Sequence, residues 1–271
     1  MTCCYVCAFY DIQRENWTSF SRTFETYLER FTPFIHLLSK NTEANDSMIL
    51  FIDEKHYHTL FDKIQEFNTD NNNIHLIQIN EQFLQQFNSW SKISKEREIM
   101  NCENFKKLIY HRRHCPECYI PEYTMINHSK IDFVNYVIDN NLSNKDVFSW
   151  VDFGFFSNEK LIPTRLLDIS LFDLSKITYS LINSIEEFDN NKIYTLITAP
   201  EKIGGFFFIG DKHAMKQYQI LYHKMIDLYH SMNLCDDDQA VAIACYFKNK
   251  NLFSFTRNFG WHKVFIANQK L

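Results

Sequence analysis

The chain has 271 residues, a formal net charge of −5, 45% apolar residues and 16% aromatic ones. That length holds one large domain or two small ones with a real core, and the acidic balance argues against a general nucleic-acid binder. No run approaches the about 18 apolar residues of a membrane span, and five glycines with five prolines are too few for a barrel or sandwich of many tight turns.

The N-terminus has no basic region before its short apolar segment, so no signal peptide is expected. Eight cysteines without such a signal point to reduced thiols in the cytoplasm. Cys3 to Tyr10 reads as a buried strand. Cys4 and Cys7 are three apart, so on a strand they face opposite ways and cannot share an ion. Asp11, Gln13, Arg14 and Glu15 follow where a doubly wound sheet receives a nucleotide. There Asp11 is a candidate partner for a base or ribose and Arg14 for a phosphate; the plain alternative is a polar loop. No Gly-rich dinucleotide loop is present.

A helix is predicted from Asn16, with Asn16 as its cap and Trp17, Phe20, Phe24, Tyr27, Leu28 and Phe31 as its core stripe. Pro33 is expected to end it, and Phe34 to Leu38 reads as a second strand. Ser47 to Ile52 is a third, followed by a helix from His56 to Phe67, a loop, and a fourth strand from Ile74 to Ile79. This alternation predicts a mostly parallel sheet with crossover helices.

Phe83, Leu84, Phe87 and Trp90 predict a further helix, and Glu96 to Tyr110 another. Cys115 and Cys118, with His111, His114 and Cys102 nearby, have zinc-ligand spacing but lack a clean second pair. The alternative is a basic loop in which Arg112 and Arg113 meet phosphates or an anionic acceptor. His128 to Asn140 reads as a helix with Lys130 in its first turn. A cation there opposes the helix dipole unless a bound phosphate offsets it; a solvated lysine is the plain reading.

Val147 to Asp152 is an apolar strand ending in one acid, and Gly154 follows. A carboxylate at that strand end suits a divalent cation carrying a phosphate; the plain reading is an Asp-Phe-Gly turn. Beyond it, Asp168 and Asp173 sit among apolar residues, and Lys192 to Thr198 reads as a strand. Gly204 and Gly205 open another strand and let something approach the backbone closely. Asp211 is expected to cap a long helix. Asp236 with Gln239 resembles a capping box for the next one, which leaves Asp238 as a candidate to face a reacting centre. His262 is either a neutral imidazole ligand or a packed residue of an aromatic tail.

CAFYDIQRENW near the N-terminus and FSWVDFGFF at mid-chain resemble the HtrL/YibB family, with WlaTC-like members, which the resemblance reads as bacterial glycosyltransferases. GGFFFIG, a long helix and CDDDQAVA resemble the acceptor half of GT-A glycosyltransferases. The resemblance implies an α/β fold with one GT-A domain over residues 1–271, residues 1–154 binding the nucleotide sugar and 155–271 forming the acceptor side. It implies manganese or magnesium on Asp152 with His262 as second ligand, although Asp-Phe-Gly replaces the Asp-x-Asp of that class. It implies donor contacts from Tyr10, Asp11, Arg14, Lys130 and Asp152, an acceptor side at Gly204, Gly205 and Phe206, and Asp238 near the anomeric carbon. The implied activity is transfer of a sugar from a nucleotide diphosphate, with UDP the expected nucleotide, to a glycan or glycoprotein hydroxyl. The alternative is a non-catalytic binder of nucleotide sugar or glycan with the same fold.

Overall fold

The computed structural model describes residues 1–40, 45–67, 73–156, 162–185, 198, 201–256 and 263–268. Its centre is a seven-stranded sheet of order β3-β2-β1-β4-β6-β5-β7. The strands are β1 (Cys3–Phe9), β2 (Ser47–Asp53), β3 (Ile74–Ile79), β4 (Val147–Val151), β5 (Ile177–Leu181), β6 (Ile203–Asp211) and β7 (Phe253–Phe255). β3, β2, β1 and β4 run parallel, as does β7 beside β5, whereas β6 runs antiparallel to both β4 and β5.

The strands read as near-continuous apolar runs because both faces of the sheet are covered. In β1, Cys4 and Val6 point into one buried cluster with Phe51, Phe133, Trp150 and Phe208. Cys3, Tyr5 and Cys7 point into the other, with Phe34, Leu50, Phe207 and Phe265. Cys4 and Cys7 therefore lie on opposite faces, as strand periodicity requires.

The first crossover differs from its sequence reading. Residues Phe24–Lys40 form one helix, α1, and Pro33 lies inside it. Phe31, Phe34, Ile35 and Leu38 are all buried at helical spacing, so burial of a continuous stripe outweighs the roughly 3 kcal/mol cost of an interior proline. Phe34 to Leu38 is thus not a strand. The helix also starts later than expected: Asn16 ends a short 3-10 turn, and Phe20 is exposed with a left-handed φ of 59°.

Seven further helices need naming before the site. They are α2 (Tyr57–Gln65), α3 (Glu81–Leu84), α4 (Ile93–Asn101), α5 (Glu103–Leu108), α6 (Pro121–His128), α7 (Lys130–Asp139) and α8 (Lys212–Ser231). The single helices expected over Glu96 to Tyr110 and His128 to Asn140 break at Cys102 and Ser129 respectively. Asp211 caps α8 as expected, accepting from Ala214 N at 2.7 Å. Asp168 caps a 3-10 turn through Ser170 N. The strand expected at Lys192 to Thr198 lies outside the described residues, apart from Thr198 itself.

His128, the last residue of α6, is 2% exposed and its Nδ1 lies 2.8 Å from the Tyr222 hydroxyl. Burial pushes its pKa down to about 4. The unfolded chain takes up this proton near pH 6.5 and the folded chain only near 4. The native state is therefore penalised as pH falls through that window. His128→Asn keeps a polar atom for Tyr222 and removes the titration. Denaturant unfolding at pH 7 and pH 5 should show wild type losing about 2 kcal/mol more than the variant. Equal losses would contradict a buried neutral imidazole.

Candidate active site

Strand order reverses at β1, whose neighbours are β2 on one side and β4 on the other. Open α/β sheets bind ligands in the crevice outside the carboxyl ends of the strands at such a point. A cavity of about 380 Å3 opens there. Tyr10, Asp11, Arg14, Lys130, Asp152 and Phe206 all line it.

Lys130 is the centre of the charged geometry. Its Nζ lies 2.9 Å from Asp152 Oδ1 and 2.8 Å from Asp238 Oδ2, and it donates to the Gly205 carbonyl at 2.9 Å. Three donors thus meet three acceptors. Burial alone would push this ammonium's pKa down, but Asp152 and then Asp238 outweigh burial and hold it above the ordinary lysine range. Lys130 is consequently a permanent cation, not the solvated surface lysine of the plain reading.

The fold dictates this meeting. Val151, the last residue of β4, pairs with Phe207 of the antiparallel β6, and Asp152 N donates to the Phe206 carbonyl at 3.0 Å. That register sets Gly205 beside Asp152. The helix α9 (Asp238–Lys248) starts against the same strand. A Cβ on Gly205 would lie 2.4 Å from Asp238 Oδ2, so the close approach expected of the glycine pair is that of the Asp238 carboxylate. Gly204 lies one residue earlier in β6, against the Phe206 ring. Gly154 has φ +86° and packs against Tyr27. Asp238 itself does not line the cavity; it stands behind Lys130 with its side chain 13% exposed.

The three consecutive acids have three tasks. Asp236 is buried against Arg112, 3.3 Å from its Nη2. Asp237, not Asp236, is the cap of α9 and accepts from Ala240 N at 2.9 Å. Asp238 holds Lys130. Burial pushes the Asp236 pKa up to about 6 in spite of Arg112, and burial with Asp236 and Asp238 nearby pushes Asp237 well up. Arg112 is spent on Asp236 and on Glu117 at 2.9 Å, so it faces no phosphate. Arg113 lies over the Tyr110 ring.

Beyond the end of β1, Asp11 Oδ2 lies 3.3 Å from His56 Nε2 and its backbone N–H donates to Asp53 Oδ2 at 3.1 Å. Tyr10 meets Trp90 edge-on, and burial lifts its phenol to about 12. Trp150 was not singled out from sequence, yet its Nε1 donates to Asp152 Oδ1 at 2.6 Å. The signal was there: residues 150 and 152 share one face of a strand. Arg22, Tyr27 and Arg30 also line the cavity; the sequence reading placed Tyr27 only in the core stripe and did not single out the two arginines.

A divalent ion fits this donor set poorly. Asp152 Oδ1 is shared by Trp150 and Lys130, and Oδ2 lies 3.3 Å from the same ammonium. An ion on Asp152 would stand within about 4 Å of that charge, a repulsion of roughly 8 kcal/mol at an effective dielectric constant of about 20. Among the described residues no group of three or more His, Cys, Asp or Glu side chains comes together to hold a metal; this covers Cys115 and Cys118. His262 lies outside the described residues.

A mostly parallel sheet of order 3-2-1-4-6-5-7 with helices on both faces is an α/β fold of the GT-A type. The chain belongs to the family described as "Bacterial protein of unknown function (HtrL_YibB)", whose pattern matches residues 2–268. Protein HtrL of Escherichia coli (strain K12) is 24% identical over 255 residues, 92% of this chain and 85% of that protein. Core-mannan synthase A of Aspergillus fumigatus, in its Mn/GDP form, superposes with a TM-score of 0.55 at 11% identity, over 94% of this chain and 72% of that one. Mouse xyloside xylosyltransferase 1, apo form, gives a TM-score of 0.46 at 9% identity, over 94% and 85%. The shared fold rests on the mannan synthase.

Proposed function

We propose that this protein is a glycosyltransferase that moves a sugar from a nucleotide diphosphate, UDP being the expected nucleotide, to a hydroxyl of a glycan or glycoprotein. The observation that carries this reading is the Lys130 clamp on Asp152 and Asp238 beside a cavity at the sheet's switch point. Residues 1–154 then supply the donor side, with Tyr10 and Asp11 toward the nucleoside. Residues 155–271 supply the acceptor side along Gly204, Gly205 and Phe206. Among the described residues no helix is long and apolar enough to cross a membrane, and the free thiols of all eight cysteines suit the reducing cytoplasm.

In the transfer, the bond from the anomeric carbon to the diphosphate oxygen breaks and its electron pair leaves with the nucleoside diphosphate. The acceptor oxygen forms the new bond and its proton passes to a base, then to water. Lys130 supplies positive charge where the leaving oxygens gain negative charge. Asp238 takes the proton in an inverting route; in a retaining one it orients the acceptor or stabilises the oxocarbenium-like centre. A non-catalytic nucleotide-sugar binder is the second reading, favoured by the engagement of both acids by one lysine.

A thermal-shift screen against UDP-, GDP- and dTDP-sugars tests the proposal. A ligand at about 100 times its Kd adds about 2.7 kcal/mol of stability, and one nucleotide class should produce that shift. Released nucleoside diphosphate separates the two readings, since a binder releases none. A screen in which no donor shifts the transition rejects both.

A further inference from the structure

The chain is acidic overall, with a formal net charge of −5, yet one rim of the cavity carries Arg14, Arg22 and Arg30 together. Among the described residues none of the three makes an ion pair with a carboxylate, whereas Arg97 and Arg112 do. Of the two acids of the neighbouring loop, Asp11 faces His56 and Lys55, and the exposed Glu15 lines the same cavity without an ion pair to any of the three.

The rim is built, not frayed. Arg14 donates from Nη1 to the Tyr27 hydroxyl at 2.6 Å and from Nε to the Phe20 carbonyl at 2.8 Å. Its guanidinium lies 5.2 Å from the Trp17 ring and 5.7 Å from that of Tyr123. Arg22 lies 5.7 Å from the ring of the same Tyr27. Burial and then Arg22 hold the Arg30 guanidinium below its ordinary value, although Glu29 acts the other way. Arginine forks match phosphate oxygens in geometry. The same cavity ends at Lys130, whose ammonium already stands between the two acids that would otherwise call for a cation.

We propose that the donor's diphosphate is held by fixed side-chain cations, Arg14, Arg22 and Arg30 at the rim and Lys130 at the reacting end, and that nucleotide binding needs no divalent ion. This rests on the transferase reading above. It makes Asp152 a partner that positions Lys130, with Trp150 fixing the carboxylate from the other side.

Calorimetry with UDP, GDP and dTDP, each in excess EDTA and again in excess manganese, tests it, with UMP as the phosphate-poor control for the uridine nucleotide. The expected result is a diphosphate Kd that agrees within about threefold between the two conditions. Arg22→Ala and Arg30→Ala, both at half-exposed positions, should raise that Kd about tenfold or more and weaken UMP less. Binding that EDTA abolishes and manganese restores would overturn the inference while leaving the transferase reading intact. Arginine variants that bind like wild type would remove the rim assignment. No diphosphate binding in either condition would sink the inference and the transferase reading together.

Discussion

Asp238→Asn is expected to lower turnover on the order of 100-fold or more while nucleotide affinity changes little. The substitution is isosteric, and the amide oxygen can still accept from Lys130 at the 2.8 Å contact. Lys130 keeps Asp152 and the Gly205 carbonyl as its other partners. Binding should therefore survive, because the rim arginines and the β1 loop are untouched. What is lost is a carboxylate at the start of α9, the group able to take the acceptor's proton. Because Asp238 stands behind Lys130 and does not line the cavity, its effect can be direct or exerted through the lysine. The pH profile of kcat/KM separates these. A base that has been removed takes the acid limb of the profile with it, whereas a positioning acid lowers the whole profile and leaves its shape. Turnover within about threefold of wild type would take Asp238 out of the mechanism.

The sheet was largely legible in the sequence. Strands β1, β2, β3, β4 and β6 are apolar runs bounded by polar segments, and their alternation with helical stripes carried the parallel half of the topology. The first crossover was misread because a proline was given more weight than the helical spacing of Phe31, Phe34, Ile35 and Leu38. Of the site, the residues at strand ends could be placed, since position along a strand fixes depth in the sheet: Tyr10, Asp11 and Asp152 reach one cavity. Lys130 and Asp238 were noticed as unusual but not as a pair, because 108 positions of chain separate them and no local rule links a helix start to another helix start. Arg14 was legible as a phosphate candidate, but Arg22 and Arg30 were not: Arg14 opens the 3-10 turn, Arg22 lies just before α1 and Arg30 within it, and only the folded start of α1 brings them to one mouth. The triple acid had a local explanation, but the register was off by one: burial against Arg112 takes Asp236 out of the cap.

The second large effect is expected at Lys130 itself. Lys130→Met leaves Asp152 and Asp238 facing each other's charge with no cation between them. Removing one partner of a buried ion pair costs about 3–5 kcal/mol. Water relieves part of this here, because the Asp152 side chain is 34% exposed, so about 2–4 kcal/mol is expected. In a chain of this size that lowers Tm by roughly 5–10 °C. The pH dependence should differ between the two proteins. In wild type the lysine's folded pKa is raised, so its contribution is complete below about 10.4 and does not titrate between pH 5 and 8. In the variant the unpaired acids are driven toward the neutral form. Their folded-state proton affinity is then raised, and stability returns as pH falls toward 4. The double variant Lys130→Met/Asp238→Asn removes one of the two opposed charges. It should recover about 1–2 kcal/mol relative to the single variant, a coupling that independent sites would not show. Lys130→Arg keeps the charge but replaces a compact ammonium by a planar fork in a site only 6% exposed. It should fold better than the methionine variant and still turn over poorly. If Lys130→Met is as stable as wild type at pH 7.5 and its deficit does not shrink on acidification, the ammonium does not hold these two carboxylates together. The account of the site as a clamp built on a resident cation would then fail at its centre.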